Sequence, residues 1–317
     1  MTVALALILL GGLTAALAPR LLARSSWADR EPVLALWVWQ CVVAAVLLCC
    51  VLAMALCGAE AWQAVRGHVF APAPQQVIEA YALSGEGDPW AATLAIALFA
   101  CGAWTAAMLT REVLGARAAR RARRAELRTR SPRLPGEEET GGGQLTVLEA
   151  ERPDAWWLPG TDPRLVVTTG ALRRLEGRQL AAVLAHEEGH VRARHDWLLY
   201  CSSALASAFP RVPVYQAFRQ QMHRLVELAA DDVASRRCGR LTTALALVGL
   251  NEDRGVFTAG GHGGPGHHGH LPHRVNRLLG PAERLSVARR IRVSALASMI
   301  PVVPLLVTFV PGLRALG

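Results

Sequence analysis

The stretch Gln179-Leu180-Ala181-Ala182-Val183-Leu184-Ala185-His186-Glu187-Glu188-Gly189-His190-Val191-Arg192-Ala193-Arg194 decides how the rest of the chain is understood. Ala and Leu dominate its first half, which favours a helix. On a helix His186 and His190 are i and i+4, so both imidazoles project from one face. Two ligands of a tetrahedral Zn²⁺ require that geometry. Glu187 follows the first imidazole by one residue. Its carboxylate then faces a water at the metal rather than the metal itself, the position of a general base. A solvated polar helix face would use the same letters, but the sequence on both sides weighs against it.

A third protein ligand is needed, with a fourth position left open. His195 lies five residues after His190, and the extended HExxHxxGxxH spacing is lacking. Glu227 is the better candidate. It lies in Val226-Glu227-Leu228-Ala229-Ala230-Asp231-Asp232, on a second predicted helix, with Asp231 again at i+4. Asp231 would accept the free N–H of a ligating imidazole while Glu227 binds the metal. His195 and His223 are expected as polar contacts near the site. Upstream, Gln144–Ala150 and Leu165–Thr168 are rich in Val and Thr and are predicted as strands. Pro159-Gly160 and Asp162-Pro163 mark a turn between them.

These residues resemble a known group. His186-Glu187-Glu188-Gly189-His190 followed by Glu227-Leu228-Ala229-Ala230-Asp231 looks like the gluzincin pattern HExxH…ExxxD. Asp154-Ala155-Trp156, Leu158-Pro159-Gly160 and Val166-Val167-Thr168-Thr169-Gly170 resemble the stretch before the zinc helix in integral-membrane gluzincins. The nearest are BlaR/MecR-type antibiotic-sensing peptidases and the HtpX-like and CAAX-type endopeptidases. The resemblance covers about residues 144–280. It implies that His186, His190 and Glu227 bind one zinc ion, that Glu187 is base and then proton donor, and that Asp231 supports a ligand. It also suggests that Leu165–Thr168 is an edge on which a peptide substrate pairs. His273-Arg274-Val275-Asn276-Arg277-Leu278 resembles a segment after the ligand Glu in these enzymes, which makes Arg274 a candidate oxyanion stabiliser. BlaR/MecR proteins sense β-lactam with a Ser-x-x-Lys nucleophile, a chemistry unavailable to a chain without Lys.

Beyond that segment the chain is apolar in long runs, and apolar residues make up 52% of the whole. Four runs are long enough to cross a bilayer: about Val3–Leu22, Val33–Leu56, Trp90–Leu109 and Val293–Val310. Ala16-Leu17-Ala18 mimics a signal cleavage site, but no basic residue precedes the first run, so an uncleaved span is expected. Pro301 and Pro304 suggest a kink in the last span.

The net charge is +9, carried entirely by Arg. Arg20, Arg24 and Arg30 follow the first span, Arg111 to Arg130 the third, and Arg284 to Arg292 precede the last. The segment between the second and third spans holds only Arg66. The positive-inside rule then places residues 20–32 and 111–291 inside, and 58–89 and both termini outside. A lipid-facing role explains the basic run after the third span better than nucleic-acid binding, which is not expected. The Cys residues form no CxxC pair and are expected as small buried hydrophobes. The short apolar piece Trp197–Phe209 is expected to touch the membrane or the catalytic core. His262, His267, His268, His270 and His273 lie in a Gly-rich segment predicted to be a linker rather than a second metal site. No Walker-type loop is possible without Lys.

Together these features predict a mainly α membrane protein: about four transmembrane helices with an inserted α+β zincin-like catalytic domain. Its regions are a membrane part (1–110), a basic juxtamembrane segment and linker (111–143), the metallopeptidase domain (144–290) and a last span (291–317). The expected partners are the lipid bilayer and a protein or peptide substrate, such as a cytoplasmic transcriptional repressor. Quality control of membrane proteins, or a non-catalytic receptor with a vestigial zinc fold, are the alternatives.

Overall fold

The computed structural model describes residues 2–23, 25–66, 89–130, 144–158, 164–251, 271–281 and 283–316. Three helices at the start are apolar over most of their length: α1 (Thr2–Ala23), α2 (Pro32–Arg66) and α3 (Pro89–Arg130). Their apolar windows, Thr2–Leu22, Pro32–Ala59 and Ala92–Ala119, are each long enough to cross a membrane. In α3 the basic run to Arg130 continues the apolar half as one helix of about 60 Å.

The last apolar run is a bent pair rather than one kinked helix. It comprises α10 (Val287–Met299) and α11 (Val302–Leu316), with a 47° bend between them. Pro301 lacks the N–H needed to continue the ladder, so the chain breaks there and restarts. Pro304 is tolerated in the first turn of α11, where its N–H would have no partner anyway.

Between α3 and α10 lie a small sheet and further helices. The strands are β1 (Gln144–Leu148), β2 (Ala155–Leu158) and β3 (Arg164–Thr168). Their order is β1-β3-β2, with β1 parallel and β2 antiparallel to β3. This corrects the expectation for Leu165–Thr168. That strand is paired on both sides, so it offers no free edge. The segment carrying Pro159-Gly160 and Asp162-Pro163 lies outside the described residues.

After β3 come α4 (Thr169–Arg174), α5 (Gly177–Arg192), α6 (His195–Ala208), α7 (Pro213–Cys238), α8 (Arg240–Asn251) and α9 (Leu271–Leu279). The Thr168 hydroxyl caps α4 by accepting from Ala171 N–H at 3.2 Å. Gly170 is required where the β1–β2 connection crosses this turn. A Cβ there would stand 2.0 Å from the Glu151 carbonyl oxygen. α5 lies on the sheet, with Ala182 and Val183 packed against Ala155, Val167, Ala171 and Leu175.

The largest core joins α6 and α7 to the apolar helix α2. Trp39, Val42, Val43 and Val46 of α2 pack with Phe218, Met222, Leu225 and Leu228 of α7 and Leu205 of α6. α7 is therefore seated on the apolar helix α2. α6, which contains most of Trp197–Phe209, lies along α3, and Trp104 Nε1 donates to Ala208 O at 3.2 Å. The α1–α2 connection also grips α7 and α9. Asp29 accepts from Arg224 of α7 and stands 3.3 Å from His273 Nε2, while its backbone carbonyl accepts from Arg277 of α9.

Candidate metal centre

Two helices build the centre. α5 begins where Gln179 Oε1 accepts from the Glu176 backbone N–H at 3.2 Å. Three turns on, His186 and His190 face α7 one above the other, their ring planes at 67°. Gly189 lies between them in sequence and is buried against Ala230. A Cβ at position 189 would meet Ala230 Cα at 3.4 Å and Val233 Cβ at 3.3 Å, so this small residue lets the two helices close together. Glu227 of α7 then reaches the imidazoles.

One donor atom each from His186, His190 and Glu227 lie within 4.8 Å of one another. The two Nε2 atoms are 3.1 Å apart, and each is 3.6 Å from a Glu227 carboxylate oxygen. Donors about 2.0–2.1 Å from one tetrahedral ion would stand roughly 3.3–3.4 Å apart. The observed separations bracket that value. Charge points the same way: Glu227 and Asp231 contact one guanidinium, Arg274, on which the charge of Glu187 also acts. The donor set, two imidazoles and a carboxylate, suits Zn²⁺.

Asp231 sits behind His186. Its side chain is 0% exposed, and its Oδ1 is 3.1 Å from His186 Nδ1. That contact is close but off-line, since this buried nitrogen has no well-aligned hydrogen bond. Arg274 of α9 donates to both Asp231 oxygens, from Nε at 2.8 Å and Nη2 at 2.6 Å. Its Nη1 is 2.8 Å from Glu227 Oε2. The guanidinium is thus directed at these two carboxylates. On the other ligand, His195 Nδ1 is 3.0 Å from His190 Nδ1. Glu188 turns outward and pairs with Arg192 and Arg237, while the charge of Glu187 acts on the Arg274 guanidinium at the site.

Protonation follows from burial and these neighbours. Burial disfavours charge on His186, but Asp231 and Glu227 outweigh it and raise its pKa to about 9. Burial, aided by the charge on His186, pulls His190 down to about 3. Burial pulls His195 down to about 4. Burial would raise the Glu227 carboxyl, yet His186 and Arg274 hold it well below the usual range. Asp231 is likewise depressed against its burial, chiefly by Arg274. A proton on His186 answers these carboxylates; a divalent ion at the same point would answer them and both imidazole lone pairs.

Sequence reasoning named the residues that converge here but missed three features. β2 was too short to register among the turn signals around it. The His195–His190 contact depends on a backbone turn that spacing does not reveal. The Asp29 grip joins residues far apart in the chain. The Gly/His-rich segment lies outside the described residues as far as His270. His273, which follows it, contacts Asp29 and not the centre.

Apolar helices of membrane-crossing length, a small sheet and a two-histidine, one-glutamate cluster form the arrangement of a metallopeptidase-type site. Residues 138–282 match the model of Peptidase family M48, a segment that includes His186, Glu187, His190, Glu227, Asp231 and Arg274. The match supports a hydrolase of the metalloprotease class, zinc-dependent as is general for that family. No curated protein and no solved structure matched the chain.

Proposed function

We propose that this protein is a multi-pass membrane zinc endopeptidase that hydrolyses peptide bonds at the cytoplasmic face. The single observation that carries this is the convergence of His186, His190 and Glu227 within 4.8 Å, on helices that the M48 match covers. His186, His190 and Glu227 would hold the zinc, and Asp231 orients His186. Zinc, when bound, supplies Lewis acidity for the scissile carbonyl and the attacking water. Glu187 accepts the proton of that water and returns it to the leaving amine. With β3 paired on both sides, the strand that meets a substrate backbone is β2, which lies against α5 and, among the described residues, pairs on one side only. The cytoplasmic placement rests on the Arg distribution, with the basic run Arg111–Arg130 following the third apolar window and preceding the segment that carries the centre in the chain.

The substrate proposed is a regulatory protein of repressor type. The test compares the proteomes of cells expressing wild type and Glu187→Ala protein. Loss of one defined cytoplasmic protein only with wild type supports signalling. Broad loss of misfolded membrane proteins would replace that substrate with a quality-control role, and identical proteomes would refute the peptidase.

A further inference from the structure

We propose that His195 is a positioning residue for the metal centre: its Nδ1 accepts the Nδ1–H of His190 and so keeps that imidazole turned with Nε2 toward the ion. This rests on the zinc centre proposed above and extends it by one residue. A neutral imidazole that offers its lone pair at Nε2 carries its proton on Nδ1. His190 Nδ1 is therefore the donor, and the partner 3.0 Å away must be an acceptor. His195 then carries its own proton on Nε2. The two rings meet nearly edge-on, at 84°, and His195 is 3% exposed, so water does not compete for the bond.

Position 195 would not face His190 if α5 simply continued. Five residues along a helix is about 500°, which leaves the side chain about 140° away from His190. Instead α5 stops at Arg192, and Arg194 adopts a left-handed conformation with φ 51° and ψ 42°. It is the one non-glycine residue with positive φ among the described residues. Such a position ordinarily favours glycine, and strain of this kind gathers at functional sites. Arg194 N–H donates to Val191 O at 3.1 Å, and Trp197 N–H donates to Arg194 O at 3.0 Å. The chain therefore turns within two residues, and His195 opens α6 with its ring against His190.

The two ligands are thus oriented by different chemistry. His186 faces a buried carboxylate already answered by Arg274. His190 faces a neutral imidazole, which fixes the ring without adding a third buried negative charge beside Glu227 and Asp231.

The test uses the full-length protein in detergent, stripped of metal, with zinc affinity read by chelator competition. His195→Asn keeps an acceptor near the place of Nδ1, whereas His195→Leu keeps bulk without one. The expected result is a loss of about 10- to 100-fold in zinc affinity for His195→Leu, with His195→Asn within about threefold of wild type. Nitrogen-15 NMR of zinc-loaded, histidine-labelled wild type is the second measurement and needs no variant. It should show His190 Nδ1 protonated and His195 Nδ1 unprotonated. The proposal is overturned if His195→Leu binds zinc as tightly as wild type, if His195→Asn is as weak as His195→Leu, or if His195 Nδ1 carries the proton. Wild type that binds no zinc would overturn both the metal centre and this role. Tight zinc in wild type and in His195→Leu alike would remove only the role of His195.

Discussion

Replacing Arg274 with Met tests whether the buried charges behind the ligands act as one unit. In the wild type the guanidinium makes two bonds to Asp231, at 2.8 and 2.6 Å, and its Nη1 stands 2.8 Å from Glu227. Asp231 is 0% exposed, so no water can replace the lost donors. Breaking one partner out of a buried pair costs about 3–5 kcal/mol, because the remaining charge stays buried. His186 still faces Asp231, and zinc would sit just beyond it, so the loaded protein should fall near the lower end and the stripped protein near the upper. Asp231→Asn in the Arg274→Met background removes the stranded charge at nearly constant shape. The double variant should therefore be more stable than Arg274→Met alone. The assay is unfolding of the purified protein from mixed micelles into SDS, followed by circular dichroism, with zinc content measured in parallel. Arg274→Met within about 0.5 kcal/mol of wild type would refute the reasoning. So would a double variant whose loss equals the sum of the two single losses.

Three further outcomes are expected. Glu187→Gln should retain zinc and lose about 10²- to 10⁴-fold in peptide hydrolysis, read by zinc analysis beside a cleavage assay; equal turnover would remove Glu187 as the base. Metal-stripped protein should be most stable near pH 6.5. His186, raised to about 9, contributes stability that is present below 6.5 and lost as pH rises through 9; His190 and His195, lowered to about 3 and 4, contribute stability that is present above 6.5 and lost as pH falls toward 4. Melting curves across that range check this, and a flat profile contradicts it. Asp29→Ala should cost about 1–2 kcal/mol in the same SDS titration, since Asp29 is 32% exposed yet joins the α1–α2 connection to Arg224 and His273; no change would show that the grip carries no energy.

Much of the centre was legible because helical periodicity turns spacing into geometry. His186 and His190 at i and i+4, and Glu227 and Asp231 at i and i+4, each fix two side chains on one face before any tertiary contact is known. The apolar runs were equally legible, since crossing hydrocarbon demands length and composition rather than register. What sequence did not reveal is how those helices meet. Met222, Leu225 and Leu228 of α7 bury themselves against Trp39, Val42 and Val46 of α2. Apolar residues at helical spacing fit a soluble core or a membrane-side face equally well, and only the packing distinguishes them. Likewise β3 was expected as an edge from the resemblance alone, and β2, four residues of Ala, Trp and Leu without period-2 alternation, gave no sequence sign that it pairs there. His195 was set aside as a ligand on its spacing, and its contact with His190 follows the left-handed Arg194, a conformation that the letter Arg argues against.

X-ray absorption at the zinc edge of the full-length wild-type protein tests the centre itself. Stoichiometric zinc with nitrogen and oxygen neighbours at about 2.0–2.1 Å, including an imidazole signature that diminishes in His186→Ala and His190→Ala, is the predicted result. Absence of stoichiometric zinc, or a shell of sulfur at about 2.3 Å, would contradict it.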